Sequence, residues 1–178
     1  MTNRTKIAPV LSSSCHELHG HRFELQRRWG PGPKGIFVML NPSTADGVND
    51  DPTIRKCRGF GQRWGWGGMV ILNLYSYRAT KPRDLWAALK DGEALHSFED
   101  HFFKQSLDPF LGLVAPDTVV AWGNLPKSAY PRARRVLRIL ESRNLTPACI
   151  GHTGLGHPLH PLMPGYDNPR ILFQGGPY

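Results

Sequence analysis

An apolar run, Ile36 to Leu40, passes directly into Asn41, Pro42, Ser43, Thr44, Ala45 and Asp46. Proline ends a central strand, so this run should deliver an amide, hydroxyls and a carboxylate to a strand end. A second apolar run, 69–74, carries Asn73 inside it. A buried amide either satisfies nearby backbone or points into a site and reads a ligand. A fourth short run, 146–150, leads into His152, His157-Pro158 and His160-Pro161. Carboxylate, amide and imidazole at strand ends are the parts of acid–base and electrostatic catalysis. Asp46 is the better general base or cation stabiliser; Asn41 can hold a water but cannot take a proton. Asp50 and Asp51, just before Pro52, read instead as helix-start acids.

Other candidates carry less chemistry. Cys15, His16, His19 and His21 lie close together, but their spacing matches no standard zinc pattern. The three cysteines, Cys15, Cys57 and Cys149, are far apart and form no CxxC pair. No metal and no cofactor is therefore expected. Gly59-Phe60-Gly61 ends a helix instead of following a strand, which argues against dinucleotide binding.

The elements that must position these residues follow from periodicity. Residues 1–20 are polar and read as a loose arm. Alternation over 21–29 suits a strand, and 30–35 is a Gly/Pro turn. Buried strands are expected at 36–40, 69–74, 118–123 and 146–150. Helices are expected at 52–64, 83–90, 95–107 and 131–143, and a Pro/Gly-rich tail at 163–178. The alternation implies one α/β domain of three layers, α/β/α, with a mostly parallel four-stranded central sheet. Ligands in such sheets bind beyond the carboxyl ends of the strands.

The chain carries 22 Lys and Arg against 14 Asp and Glu, a net charge of +8. A polyanionic partner, nucleic acid first, fits that excess. Arg78 follows the second run, and Arg132, Arg134, Arg135 and Arg138 crowd one helix; these either meet phosphates or form a solvated face. No apolar run approaches the roughly 20 residues of a membrane helix. A monomer in the cytoplasm, with no membrane partner, is expected.

Three segments, in order, resemble the uracil-DNA glycosylase superfamily. LNPSTAD at 40–46 looks like its first motif, MVILNLYSYRAT at 69–80 like the strand whose Asn pairs with a flipped base, and TVVAWG at 118–123 like the strand leading to its second catalytic motif. NPSTAD, DDPTIRKC and HPLHPL resemble still more closely a group of bacterial and phage proteins known only as a domain of unknown function. The superfamily's His-Pro-Ser is absent, and His157 and His160 compete for its place.

The resemblance implies a metal-independent DNA glycosylase acting on single- or double-stranded DNA. Asp46 and Asn41 would act on the sugar side, His160 or His157 at the leaving base, and Asn73, Ser43 and Pro42 at the base itself. Arg78, Arg132, Arg134, Arg135 and Arg138 would hold the backbone. Where the uracil-specific branch places a bulky Tyr after the motif's proline, this chain has Ser43. The expected target is thus a non-canonical base, such as a 5-substituted pyrimidine like glucosylated hydroxymethylcytosine in phage DNA, with phage defence as the outcome. The alternatives are an inactive nucleic-acid-binding module of the same fold and a glycosidase on free nucleosides or nucleotides.

Overall fold

Alternation and turn chemistry place the strands of this computed structural model, which describes residues 7–91, 96–110 and 117–178. The elements run β1 (Ser12–Leu18), β2 (His21–Arg28), β3 (Lys34–Met39), α1 (Pro52–Arg63), β4 (Gly68–Asn73), α2 (Pro82–Lys90), α3 (His96–Leu107), β5 (Thr118–Val120), α4 (Tyr130–Glu141), β6 (Pro147–Cys149) and β7 (Ile171–Leu172). They make one mixed sheet in the order β1-β2-β4-β3-β5-β6-β7.

The four expected buried strands are its middle: β4, β3, β5 and β6 pair in parallel. The sheet nonetheless has seven strands, not four. One of the three extra strands is β2, the strand expected at 21–29, which pairs antiparallel with β4, and two corrections account for the others. Residues 1–20 are not all a loose arm, because Ser12–Leu18 pairs antiparallel with β2; residues 1–6 lie outside the described residues. The tail likewise adds a strand, since Ile171–Leu172 pairs antiparallel with β6. Both additions are polar or exposed on their outer faces, so hydropathy gives them little signature. The predicted helix at 95–107 is found from His96, and residue 95 lies outside the described residues.

The parallel strands are buried on both sides, as a sheet between helical layers requires. Ile36 and Val38 of β3 face a core shared with α2, α3 and α4, containing Leu85, Phe103, Leu107, Val136 and Leu140. Phe37 and Met39 face the opposite core with Ile54, Cys57 and Phe60 of α1. Each fully buried large apolar side chain of this kind contributes about 1.5–3 kcal/mol.

Pro52 starts α1, and Asp51 caps it by accepting the Ile54 N–H at 2.8 Å. The glycine that tempted a nucleotide-binding reading has a packing role. A Cβ on Gly59 would come within 2.3 Å of the Tyr166 hydroxyl, so only glycine lets that ring lie on α1. The tail is held by its aromatic residues: Phe173 is buried, and Tyr178 accepts a hydrogen bond from Trp122 Nε1.

Candidate functional site

The carboxyl ends of β3 and β5, with the segments after β4 and β6, surround a cleft of about 540 Å³. Strand-end clefts of this kind arise because each chain leaves the sheet there and its side chains converge. Its wall includes Asn41 and Ser43 after β3, Trp122 and Asn124 after β5, and His160 from the His-Pro segment. Asp51, Arg22 and Trp86 complete it.

The loop after β3 is fixed by Asn41. Its Nδ2 donates to the carbonyls of Pro42 and Ala79, each at 2.8 Å, and lies 3.4 Å from that of Tyr77. The amide nitrogen thereby staples this loop to the one after β4. Ser43 lines the cleft, whereas Pro42 is buried beneath it and offers its carbonyl to the Ala79 N–H.

The structure does not bring Asp46 to the cleft. Its Oδ1 accepts the N–H groups of Val48 and Asn49, both at 2.7 Å, and Oδ2 accepts the Asn49 side-chain amide at 3.2 Å. Those Asn49 and Val48 hydrogen bonds hold its pKa down at about 2. A carboxylate so stabilised in its own turn is a weak base at neutral pH. The carboxylate in the wall is Asp51, 8% exposed, whose Oδ2 lies 3.4 Å from the Ala45 N–H.

The two candidate histidines separate. His160 lines the cleft; burial lowers its pKa from the usual value, and the charge of Asp51 opposes that shift. Gly123, at φ +75°, turns the chain where a Cβ would lie 3.5 Å from that of His160. His157 is fully buried outside the wall, with Nδ1 3.2 Å from the Tyr178 hydroxyl and Nε2 without a partner. Its pKa is lowered by burial alone.

Asn73 is 6% exposed, and neither its Nδ2 nor its Oδ1 has a hydrogen-bond partner. It pairs in register with Met39, which lines the cleft, and strand alternation puts both on the α1 face. Asn73 does not itself line the cleft, and an orphaned buried amide beside Met39 is costly unless something else satisfies it.

Of the arginines expected on DNA, three are in ion pairs. Arg132 is buried, its Nε donating to the Leu74 carbonyl at 2.5 Å and its Nη1 to Asp100, with Glu99 3.7 Å from Nη2. That placement corrects its reading as a phosphate contact: it is a clamp between α4, α3 and the end of β4. Arg78 pairs with Glu17 at 2.5 Å and donates to the Ala45 carbonyl at 3.2 Å. Arg135 is largely exposed but bonded to Asp100. Arg134 and Arg138 are exposed on α4 and border depressions that share no residue with the cleft.

The Cys15–His21 group does not converge. Cys15 bonds Glu17 at 3.1 Å, His16 packs edge-on to Phe102, and His21 meets Ser76 at 2.8 Å. Among the described residues no group of three or more His, Cys, Asp or Glu is placed to hold a metal ion. Nor is any described helix long and apolar enough to cross a membrane.

Residues 22–162 match the model of a family described as a protein of unknown function (DUF1643). The chain belongs to that family. The match begins at Arg22 and ends at Leu162, so every residue of the cleft wall falls within it. No curated protein and no solved structure matches the chain. Sequence reasoning missed Arg22, Trp86 and Asn124, and gave Asp51 only its capping role. The Asp-Pro step marks a helix start correctly, but which way that start points depends on packing.

Proposed function

We propose that this chain is an N-glycosidase that removes a base from DNA, the activity implied by its resemblance to the uracil-DNA glycosylase superfamily. The observation supporting this reading is the convergence of separate motifs on one cleft. Asn41 and Ser43 come from the first, Trp122 from the third and His160 from the His-Pro segment, with Asp51 beside them.

Hydrolysis adds water to C1′, breaks the C1′–N bond and sends the base away with a proton. Positive charge develops on the sugar and negative charge on the base. In this reading Asp51, not Asp46, takes the sugar side, and Asn41 Oδ1 holds the water. His160 donates to the departing base; Asn73 is not among the lining residues and takes no part in this reading. Trp86 and Trp122 offer aromatic walls for a flipped base. The small Ser43 leaves space for a 5-substituent, so a modified pyrimidine of phage DNA, such as glucosylated hydroxymethylcytosine, is the preferred target. The protein would act as a cytoplasmic monomer in phage defence.

The test is a panel of DNAs carrying uracil, hydroxymethylcytosine and glucosylated hydroxymethylcytosine, assayed for abasic sites. Release from one of them is expected, and release from none removes the enzyme reading. A nucleic-acid-binding module without turnover is the second reading. It is favoured by the Asp51 oxygens, both of which already face backbone N–H groups. Binding that survives Asp51→Asn and His160→Gln, with no base released by the wild type, would select it.

A further inference from the structure

Two guanidinium groups converge on one neutral oxygen beside the cleft. Arg22 Nη1 donates to the Ala45 carbonyl at 2.5 Å, and Arg78 Nη2 donates to the same atom at 3.2 Å. Arg78 has Glu17 as its counter-ion. Arg22 has none in contact: Asp51 and Glu17 act on it from farther off, among the described residues no carboxylate lies within 4.0 Å of it, and its Nε is buried without any partner. Yet Arg22 is 1% exposed and forms part of the cleft wall.

A buried cation whose hydrogen-bond partner is a carbonyl, with its opposite charges beyond contact, is costly unless a closer compensating charge arrives. Neighbouring Arg78 adds like charge and raises that cost. The start of α1 adds to the same field. Thr53, its second residue, lines the cleft, while Pro52 has no N–H and that of Ile54 is taken by Asp51. The N–H of Thr53 is thus an open donor at the positive end of the helix dipole. Asp51 fixes the approach, because an anion must meet Arg22 on the side away from that carboxylate.

We propose that Arg22, backed by Arg78 and the first turn of α1, is a phosphate site in the cleft, so that the unit bound is a nucleotide and not a nucleoside or free base. This rests on the reading of the cleft as a site for a base and its sugar. The phosphate is supplied either by a nucleic-acid chain or by a free nucleotide.

Calorimetric titration of the full chain tests it, with inorganic phosphate, deoxycytidine, deoxycytidine 5′-monophosphate and a single-stranded oligonucleotide as probes. Phosphate is expected to bind, and the monophosphate or the oligonucleotide to bind at least about tenfold tighter than the nucleoside. Arg22→Gln should erase that advantage while leaving the nucleoside's affinity unchanged. Dependence on Arg22 for the oligonucleotide alone identifies a phosphodiester chain as the source; dependence for the monophosphate identifies a free nucleotide. Both support the site.

Absence of phosphate binding, or equal affinities for nucleoside and phosphate-bearing probes, overturns it. So does an Arg22→Gln variant that weakens all probes equally. Should that variant not fold, Arg78→Gln, at a half-exposed position, is expected to reduce the phosphate advantage, and an unchanged advantage overturns the proposal. A phosphate advantage without base release from any DNA removes the glycosidase reading and keeps the site. Base release at the wild-type kcat/KM by Arg22→Gln does the reverse.

Discussion

At the scale of single residues, the division of labour between Asp46 and Asp51 is the sharpest result. Asp46 sits in the segment that resembles a catalytic motif, but its own turn consumes it. Asp51 looks like a capping residue and is one, yet it also stands in the cleft with His160. The two roles can be separated, because asparagine caps a helix about as well as aspartate but carries no charge. Asp51→Asn should therefore lower the rate of base release by about 10²–10⁴ while keeping the helix cap, and the lost acceptor facing the Ala45 N–H should cost about 1–3 kcal/mol of stability. Asp46→Asn should leave the rate close to the wild type. Equal rates for Asp51→Asn and the wild type would take Asp51 out of the chemistry.

At the scale of elements, the end of β4 is held in place by ion pairs across two helices. Arg132 of α4 reaches the Leu74 carbonyl and also faces Glu99 and Asp100 of α3, all of them buried. Removing one partner of a buried pair strands the others. Arg132→Met should lower the unfolding free energy by about 3–5 kcal/mol in denaturant titration. Arg134→Met, two residues on and on the opposite, exposed face, should stay within about 0.5 kcal/mol. A helix rich in arginine thus contains both a structural clamp and a free surface, and periodicity decides which is which.

At the scale of the whole molecule, stability should depend on pH through the histidines. Burial lowers the pKa values of His157 and His160 below 6.5 in the folded chain. Between the folded and unfolded values the unfolded chain binds more protons, so stability rises with pH there. The contribution is complete above about pH 6.5 and is lost as the pH falls through the lowered folded values. Thermal melting from pH 8 to 5 should show that loss, and His157→Gln should flatten it. The net charge of +8 predicts a second global property. If Arg134 and Arg138 meet the DNA backbone, replacing each by Glu should reduce the slope of log K against log salt by about 1 per lost phosphate contact. An unchanged slope would make α4 a merely solvated face.

The sequence by itself determined the parallel middle of the sheet and most of the points where it ends, although β5, expected over 118–123, stops at Val120. Buried parallel strands are continuous apolar runs, and Asn-Pro, the polar stretch after 74 and the Trp-Gly step break them visibly. It also identified Asn41, Ser43 and the pair His157 and His160 as residues released at those ends. The edge strands β1 and β7 escaped it, because one-sided or exposed strands leave no apolar run to read. Choosing between Asp46 and Asp51, or between His157 and His160, took the tertiary structure. Each pair lies on one short segment, and only the path of that segment decides which side chain meets the cleft. Arg22 needed it most. In sequence it is one basic residue in an alternating strand, and its meaning comes from its burial in the cleft wall with no carboxylate in ion-pair contact, which is a property of space and not of spacing.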